Sequence, residues 1–362
     1  MKILLVYKAS GLSDNPFVRL LAEGIRRCGE EVVCSVDEFW HNAAAYDIVH
    51  FQWPEEAFGW QYPTRQRVEA FGRQLQLLHE RHIPVVYTCH NAIPHKGDAC
   101  LKEAYRLVET RTDAAIHLGE QSRLRFLKTY PATKQLLPVI PHHIYEGAYD
   151  YARTRDAARR TLGIRDDRFV ILSFGAFRHT EERQLVWGAF RRFDMPKKFL
   201  LAPRLWPYTL HGGYLRGFKR LVAVISYAAM HFAERFLRCR ITSPEQLVPD
   251  ESLPDYFAAA DVVLIQRSGI LNSGNVPMAF AFGRMATGPD QSNIGELLKA
   301  AGNPVFDPAD PASVDRALAE AARLSVEGLG ARNRAYAREH LALDRIAAMH
   351  VHLYEQLLHD GK

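Results

Sequence analysis

Two successive Rossmann-like α/β units are predicted for this chain, on three observations. Apolar runs of strand length alternate with amphipathic helical stretches from the first residues onward. The alternation lapses ahead of residue 169 and then restarts. The chain has 362 residues, more than the roughly 100–200 that one domain takes.

The elements follow in order. Ile3 to Tyr7 is a continuous apolar run, the pattern of a strand buried on both faces. A loop with Gly11, Asp14, Asn15 and Pro16 leads into a helical pattern from Phe17 to Cys28, stopped by Gly29. Glu31–Val36 and Asp47–Gln52 read as the second and third strands, and a long amphipathic helix is predicted from about Tyr62 to His82. Pro84–His90, Asp113–Leu118 and Lys134–Ile140 read as strands four, five and six. The rhythm weakens from Pro141 to Arg168. It restarts with a strand at Phe169–Phe174, a turn at Gly175 and a helix from Glu181 to Phe193. Lys198–Ala202, Asp261–Ile265 and Met285–Gly288 continue the second sheet, and Ala331–Leu358 is a terminal helix. The predicted division is residues 1–150, a linker over 151–168, a second unit over 169–335 and a C-terminal helix over 336–362.

Composition narrows the function classes. The 46 Lys+Arg against 41 Asp+Glu leave +5, a bias that suits an acidic small substrate or an anionic membrane surface but not nucleic acid. The five cysteines, Cys28, Cys34, Cys89, Cys100 and Cys239, show no disulfide framework and no zinc spacing. The apolar part of the opening run is too short for a secretory signal, and no apolar run has the roughly 18–20 residues that span a bilayer. A cytoplasmic protein is expected. One segment departs from the α/β rhythm: Tyr214 to Arg240 reads as a single helix with basic ends and an uncharged centre from Leu221 to Ala233. It suits either the plane of a membrane interface or the surface of the second sheet.

In open α/β sheets ligands bind beyond the carboxyl ends of strands, and several polar clusters fall there. Asp14 and Asn15 follow strand one; they either meet an anionic or polyol group or cap the next helix. His50, Gln52, Trp53 and Glu55 end strand three, where an aromatic face can stack on a sugar and a carboxylate can take a hydroxyl proton. His90, Asn91 and His95 end strand four, and His117 ends strand five. These histidines read as a polar or catalytic group or as satisfied structural residues, and their spacing argues against a metal site. In the second unit Gly175, Arg178 and Arg183 lie between a strand and a helix, the place for a diphosphate. Arg267 and the turn Asn272, Ser273, Gly274 and Asn275 precede an apolar helix from Val276 to Phe282 and offer a second set of backbone N–H groups.

This order of segments resembles the GT-B glycosyltransferase superfamily, and most of all its group 1-like members of bacterial polysaccharide assembly. Asp47–His50 and Val85–Asn91 look like the family's D-I-V-H and T-x-H-N/D strand ends. Asp255–Leu264 resembles its Y-x-x-A-D-x-x-L entry, and Ser292–Glu296 with Gly302–Pro308 resembles its closing G-x-x-E block. The resemblance implies two Rossmann-like domains facing a cleft, with the C-terminal helix crossing back to the N-terminal domain. It implies an acceptor domain over 1–150 and a nucleotide-sugar donor domain over 169–335. Three departures stand out: Ala176 replaces the expected Arg, Glu181 the expected Lys, and no Asp or Glu occurs from Val262 to Pro289. The family's ribose-binding glutamate therefore has no counterpart there, and Glu296 is the nearest carboxylate.

The expected activity is a metal-independent hexosyl transfer from a GDP- or UDP-linked sugar to a glycan or lipid-linked oligosaccharide in surface polysaccharide biosynthesis. The nucleotide sugar is a co-substrate and no cofactor is expected. His90, Glu55 and Asp14 are the catalytic candidates. Gly175, Arg178, Arg183, Arg267, Asn272–Asn275 and Glu296 are placed on the donor, and Asn15, Trp53, Asn91 and His95 on the acceptor. A peripheral contact through 214–240 would put the protein at the inner face of the cytoplasmic membrane. Two rivals stay open, a GT-B nucleotide-sugar epimerase and a catalytically silent subunit that positions a partner transferase.

Overall fold

Strands that are apolar along their whole length have to be covered on both faces, which is what parallel sheets flanked by helices provide. The computed structural model describes residues 1–8, 16–91, 98–208 and 218–360. Its strands are Lys2–Val6 (β1), Glu31–Cys34 (β2), Ile48–Phe51 (β3), Val85–Cys89 (β4), Ala114–His117 (β5), Phe169–Leu172 (β6), Lys198–Ala202 (β7), Cys239–Ile241 (β8), Val262–Leu264 (β9), Met285–Pro289 (β10) and Val305–Phe306 (β11). The helices are Phe17–Arg27 (α1), Val36–His41 (α2), Arg65–Glu80 (α3), Ala99–Arg111 (α4), Glu120–Thr129 (α5), Arg155–Thr161 (α6), Thr180–Arg192 (α7), Phe218–Phe236 (α8), Leu253–Ala259 (α9), Asn275–Ala281 (α10), Ser292–Ala300 (α11), Pro311–Val326 (α12), Gly330–His340 (α13) and Leu343–Asp360 (α14).

They form two compact units. The first comprises Met1–Ala148, Ile270–Asn272 and Glu339–Lys362; the second comprises Tyr149–Gly269 and Ser273–Arg338.

The first unit is a five-stranded sheet in the order β2-β1-β3-β4-β5, with every pairing parallel. The order reverses between β1 and β3. One side of the sheet is covered by α3 and α4, whose Val68, Phe71, Leu75, Leu101, Ala104 and Val108 share a core with Phe39, Phe51, Val85 and Tyr87. Helix α3 begins where Thr64 Oγ1 accepts from Arg67 N, and α4 where Asp98 accepts from Leu101 N. Helix α1 packs on α14. The crossing is close because Gly24 has no side chain; a Cβ there would lie 2.9 Å from Ala347 Cβ. Gly29, at φ +97°, takes the left-handed turn that ends α1.

The second unit is a six-stranded parallel sheet in the order β11-β10-β9-β6-β7-β8, reversing between β6 and β9. Arg159 of α6 is fully buried beneath it. Its guanidinium donates to the Ala259, Asp166 and Arg168 carbonyls and, at 2.7 Å, to Asp261 Oδ2. That oxygen also accepts from Val170 N at 2.6 Å, and Asp261 Oδ1 pairs with Arg155 at 2.8 Å. One carboxylate thus ties α6 and β6 to the start of β9.

Several expectations are corrected. Residues 134–140 hydrogen-bond alongside β5, as from Ala115 N to Leu136 O at 2.9 Å, but bridge to it only singly, Ala114 with Leu136 and His117 with Val139, and form no continuous sixth strand. Residues 151–168 are not a free linker: they carry α6, which packs on α9 in the second unit. The helix expected to run through Arg240 ends at Phe236, because Cys239–Ile241 pairs with β7 as an edge strand. The terminal helix is two helices, α13 and α14.

Asp261→Ala would leave Arg159 buried without its counter-charge, and breaking a buried pair in this way costs about 3–5 kcal/mol. A lower urea midpoint for the variant than for the wild type is the expected outcome.

Candidate functional site

The reversal of strand order opens a crevice at the carboxyl ends of neighbouring strands, and each unit has one. In the first it lies beyond β1 and β3. His50, near the end of β3, is fully buried and joins a chain of hydrogen bonds. Its Nδ1 is 2.7 Å from Tyr354 Oη of α14, and its Nε2 is 2.8 Å from Thr88 Oγ1 and 3.2 Å from Gln52 Nε2. Gln52 Nε2 donates to His50 Nε2, so the neutral ring carries its proton on Nδ1 and donates it to Tyr354. Gln52 Oε1 in turn accepts from His90 Nε2 at 2.8 Å. The neutral His90 ring therefore has its lone pair on Nδ1.

His90 is 9% exposed. It stacks on Trp53 with ring centroids 4.2 Å apart and meets the Phe17 ring edge-on at 5.1 Å. Its carbonyl accepts from Asn272 Nδ2 at 2.9 Å. Asn272, expected on the donor side, thus belongs to the first unit together with Ile270 and Leu271. Glu55 is 1% exposed and accepts from Tyr105 Oη at 2.7 Å, so its carboxylate supports α4 from beneath. Asn91 is half-buried and also bonds to Tyr105. Asp14, Asn15 and His95 lie outside the described residues.

Burial sets the protonation of this region. It holds His50 well below the ordinary imidazole range, helped by the neighbouring His350 and His90. It lowers His350 to about 4 and His142 to about 3. His117 is held at about 4 by burial and by Arg123, and among the described residues neither of its ring nitrogens has a hydrogen-bond partner.

In the second unit the crevice lies beyond β6 and β9. Gly175, at φ +106°, turns the chain out of β6, and a Cβ there would lie 3.6 Å from Asn275 Nδ2. Asn275 does not face outward: its amide donates to Phe174 O at 2.8 Å, and Gln266 donates to the same carbonyl at 3.2 Å. Gln266 Oε1 accepts from Ser173 Oγ at 3.1 Å. Ser173 and Gln266, both buried, were not foreseen, and only their strand-end positions hinted at them; nor was Glu182 in the first turn of α7.

Glu182 is 4% exposed. Its Oε2 accepts from the backbone N–H of Arg178 at 2.7 Å and of His179 at 3.4 Å. Its Oε1 lies 3.9 Å from Arg267 Nε. Arg267 is mostly buried, and burial followed by the neighbouring Arg178 lowers its pKa. The Arg267 guanidinium thus lies beside a buried carboxylate that also holds the Arg178 backbone N–H, and the Arg178 side chain is exposed nearby at the start of the 13-residue α7. The excess of positive charge, together with the helix terminus, suits a diphosphate. Arg183 is engaged elsewhere: its guanidinium donates to Phe177 O at 2.9 Å and His179 O at 3.3 Å, holding the loop in shape. Ser273 and Gly274 precede α10, which has only 7 residues. Glu296 is half-buried in the first turns of α11, near Tyr336. Among the described residues no cluster of three His, Cys, Asp or Glu side chains is arranged to hold a metal ion.

Histidines with lowered pKa bind protons in the unfolded chain before they bind them in the folded one. Stability from His50, His117, His142 and His350 is present above about pH 6.5 and is lost as pH falls below it. The melting temperature should drop between pH 6.5 and 4, and His117→Phe should flatten that drop.

No family model and no curated protein matches the sequence. Among solved structures the chain is similar to sucrose-phosphate synthase from Thermosynechococcus elongatus, with TM-score 0.70, 14% identity and 99% of this chain and 100% of that one covered. It is similar to Anabaena HepE in complex with UDP, with TM-score 0.69, 13% identity and 98% and 100% covered. It is also similar to UDP-GlcNAc 2-epimerase from Methanocaldococcus jannaschii, with TM-score 0.53, 9% identity and 89% and 93% covered. At these identities the likeness shows the architecture, and the chain has the GT-B fold of two Rossmann-like domains.

Proposed function

We propose that this chain is a glycosyltransferase that takes a sugar from a nucleoside diphosphate sugar, with the diphosphate on the second unit. The observation that carries the reading is the closeness of Arg178 and Arg267 at the ends of β6 and β9, where one buried carboxylate, Glu182, holds the Arg178 backbone N–H and lies 3.9 Å from the Arg267 guanidinium. Anabaena HepE, of the same fold, was solved with UDP and with UDP-glucose, which supports a nucleoside diphosphate sugar as the donor here. Breaking the sugar–phosphate bond leaves negative charge on the departing diphosphate. The Arg178 and Arg267 guanidiniums and the positive end of the α7 dipole stabilise that charge.

On the first unit His90 is the catalytic-side group. Trp53 and Phe17 fix its plane and Gln52 fixes its tautomer, which makes Nδ1 the acceptor atom of the ring. A glycan or lipid-linked oligosaccharide in surface polysaccharide assembly, at the inner face of the cytoplasmic membrane, is the acceptor setting that fits the sequence resemblance best.

The similarity to an epimerase favours a second reading, inversion of the sugar without transfer. NMR of a UDP-sugar incubated with the protein alone separates the two, since an epimerase forms the epimer with no acceptor present.

Thermal shift against UDP, GDP, dTDP, CMP and ADP is expected to single out one nucleoside diphosphate by mass action. Arg267→Ala and Arg178→Ala should each weaken its binding about tenfold or more, in line with about 1.5–3 kcal/mol for a hydrogen bond to a charged group. His90→Ala should leave nucleotide affinity near wild type and lower turnover by about 10²-fold. Wild-type nucleotide affinity in both arginine variants, or unchanged turnover in the histidine variant, defeats the assignment. Nucleotide binding with no transfer and no epimer from the wild type points to a silent subunit.

A further inference from the structure

Helix α8 leaves an apolar stripe facing water. Of the fourteen large apolar side chains exposed among the described residues, eight lie between Leu221 and Leu237. Leu221, Ile225, Phe232 and Phe236 are 54%, 59%, 63% and 61% exposed. Their spacing puts them on one side of the helix, with Ala228 and Ala229 exposed between them. The side that packs is narrow: Met230 and Ala233 enter the core of the second unit, and Ser226 Oγ accepts from Trp206 Nε1 at 2.8 Å. Contiguous apolar surface of this kind marks an interaction site.

Charge decides what covers it. Between Tyr214 and Arg240 the sequence has Arg216, Lys219, Arg220, Arg235, Arg238 and Arg240 against a single acid, Glu234. That acid is engaged, accepting from Ile241 N at 3.2 Å and lying 3.0 Å from His231 Nδ1. Pairing the stripe with a second copy would bring basic end against basic end, whether the helices ran parallel or antiparallel, and like charges at an interface oppose association. An anionic lipid surface meets both features, with acyl chains against the stripe and phosphates against the flanking cations. Tyr208, 56% exposed beside Trp206, adds an amphipathic ring at the edge of the helix. No helix among the described residues is long and apolar enough to cross a membrane.

We propose that α8 lies in the plane of an anionic membrane surface, with Leu221, Ile225, Phe232 and Phe236 immersed and the basic residues at its ends on lipid phosphates. The proposal does not depend on glycosyl transfer, because vesicle binding is read without any sugar substrate. The full-length protein would be floated with vesicles of phosphatidylcholine alone and of a phosphatidylcholine–phosphatidylglycerol mixture. Binding to the mixture, weakening as salt is raised, is expected, with little binding to phosphatidylcholine. I225S/F236S should lose about tenfold or more of that binding while keeping the wild-type melting temperature and circular dichroism. R235E/R238E changes only exposed charges and should abolish the preference for the anionic mixture, which keeps the test decisive if the first variant misfolds. Failure of the wild type to bind the mixture, or full retention of binding in either folded variant, overturns the proposal. So does a wild-type dimer in sedimentation that I225S/F236S converts to monomer, which would give the stripe to a second copy.

Discussion

A polar side chain placed on a strand covered on both faces has no water to turn to, and that constraint organises both candidate sites. A buried polar group left unpaired costs about 1–3 kcal/mol, so His50, Thr88 and Gln52 at the ends of β3 and β4 are bound to one another and to Tyr354. In the second unit Ser173, Gln266 and Asn275 converge in the same way around the Phe174 carbonyl. Each network holds its neighbours in a single geometry. The outcome in the first unit is a His90 ring with a defined tautomer. In the second it is a rigid turn at Gly175 that carries Arg178 to the surface.

The loop after β6 also accommodates an acid where the family resemblance anticipates a lysine. Glu181 is exposed, and it is Glu182 that turns inward. By accepting from the Arg178 and His179 amides it forms the start of α7, and by pairing loosely with Arg267 it brings a cation from the end of β9 to the same place. The cation at this place comes from the end of a neighbouring strand instead of from the helix itself.

How much of this was legible in the sequence depended on whether the information was local. Strands such as Ile3–Val6 and Val262–Leu264 announce themselves because nothing polar interrupts them. Cys239–Ile241 did not: it has only 3 residues, follows a helix directly, and is a strand only because β7 offers an open edge. The segment at 134–140 fails for the opposite reason. Its pattern is strand-like, yet its pairing with β5 reduces to single bridges at Leu136 and Val139. Polar clusters at strand ends were readable as positions, but their partners were not, since Tyr354 lies 304 residues from His50. Glu55 and Arg183 were chosen for their chemistry, and only the fold revealed that Tyr105 and the carbonyls of Phe177 and His179 already occupy them.

Helix α8 gathers exposed apolar side chains as no other helix among the described residues does, and that makes it informative. Elsewhere most large apolar side chains are gathered into one of the two cores and the exposed ones are scattered, because each one left in water forfeits about 1.5–3 kcal/mol of burial. Packing of α8 on its unit needs only the face formed by Ser226, Met230 and Ala233. Polar residues could fill the other faces at no cost to the fold, and Lys or Glu would also make a better helix than Val222, Val224 and Ile225. Folding of the second unit therefore supplies no reason for phenylalanines at 232 and 236. A reason has to come from a surface that the protein meets after it has folded, and the six basic residues around a single acid restrict what that surface can carry.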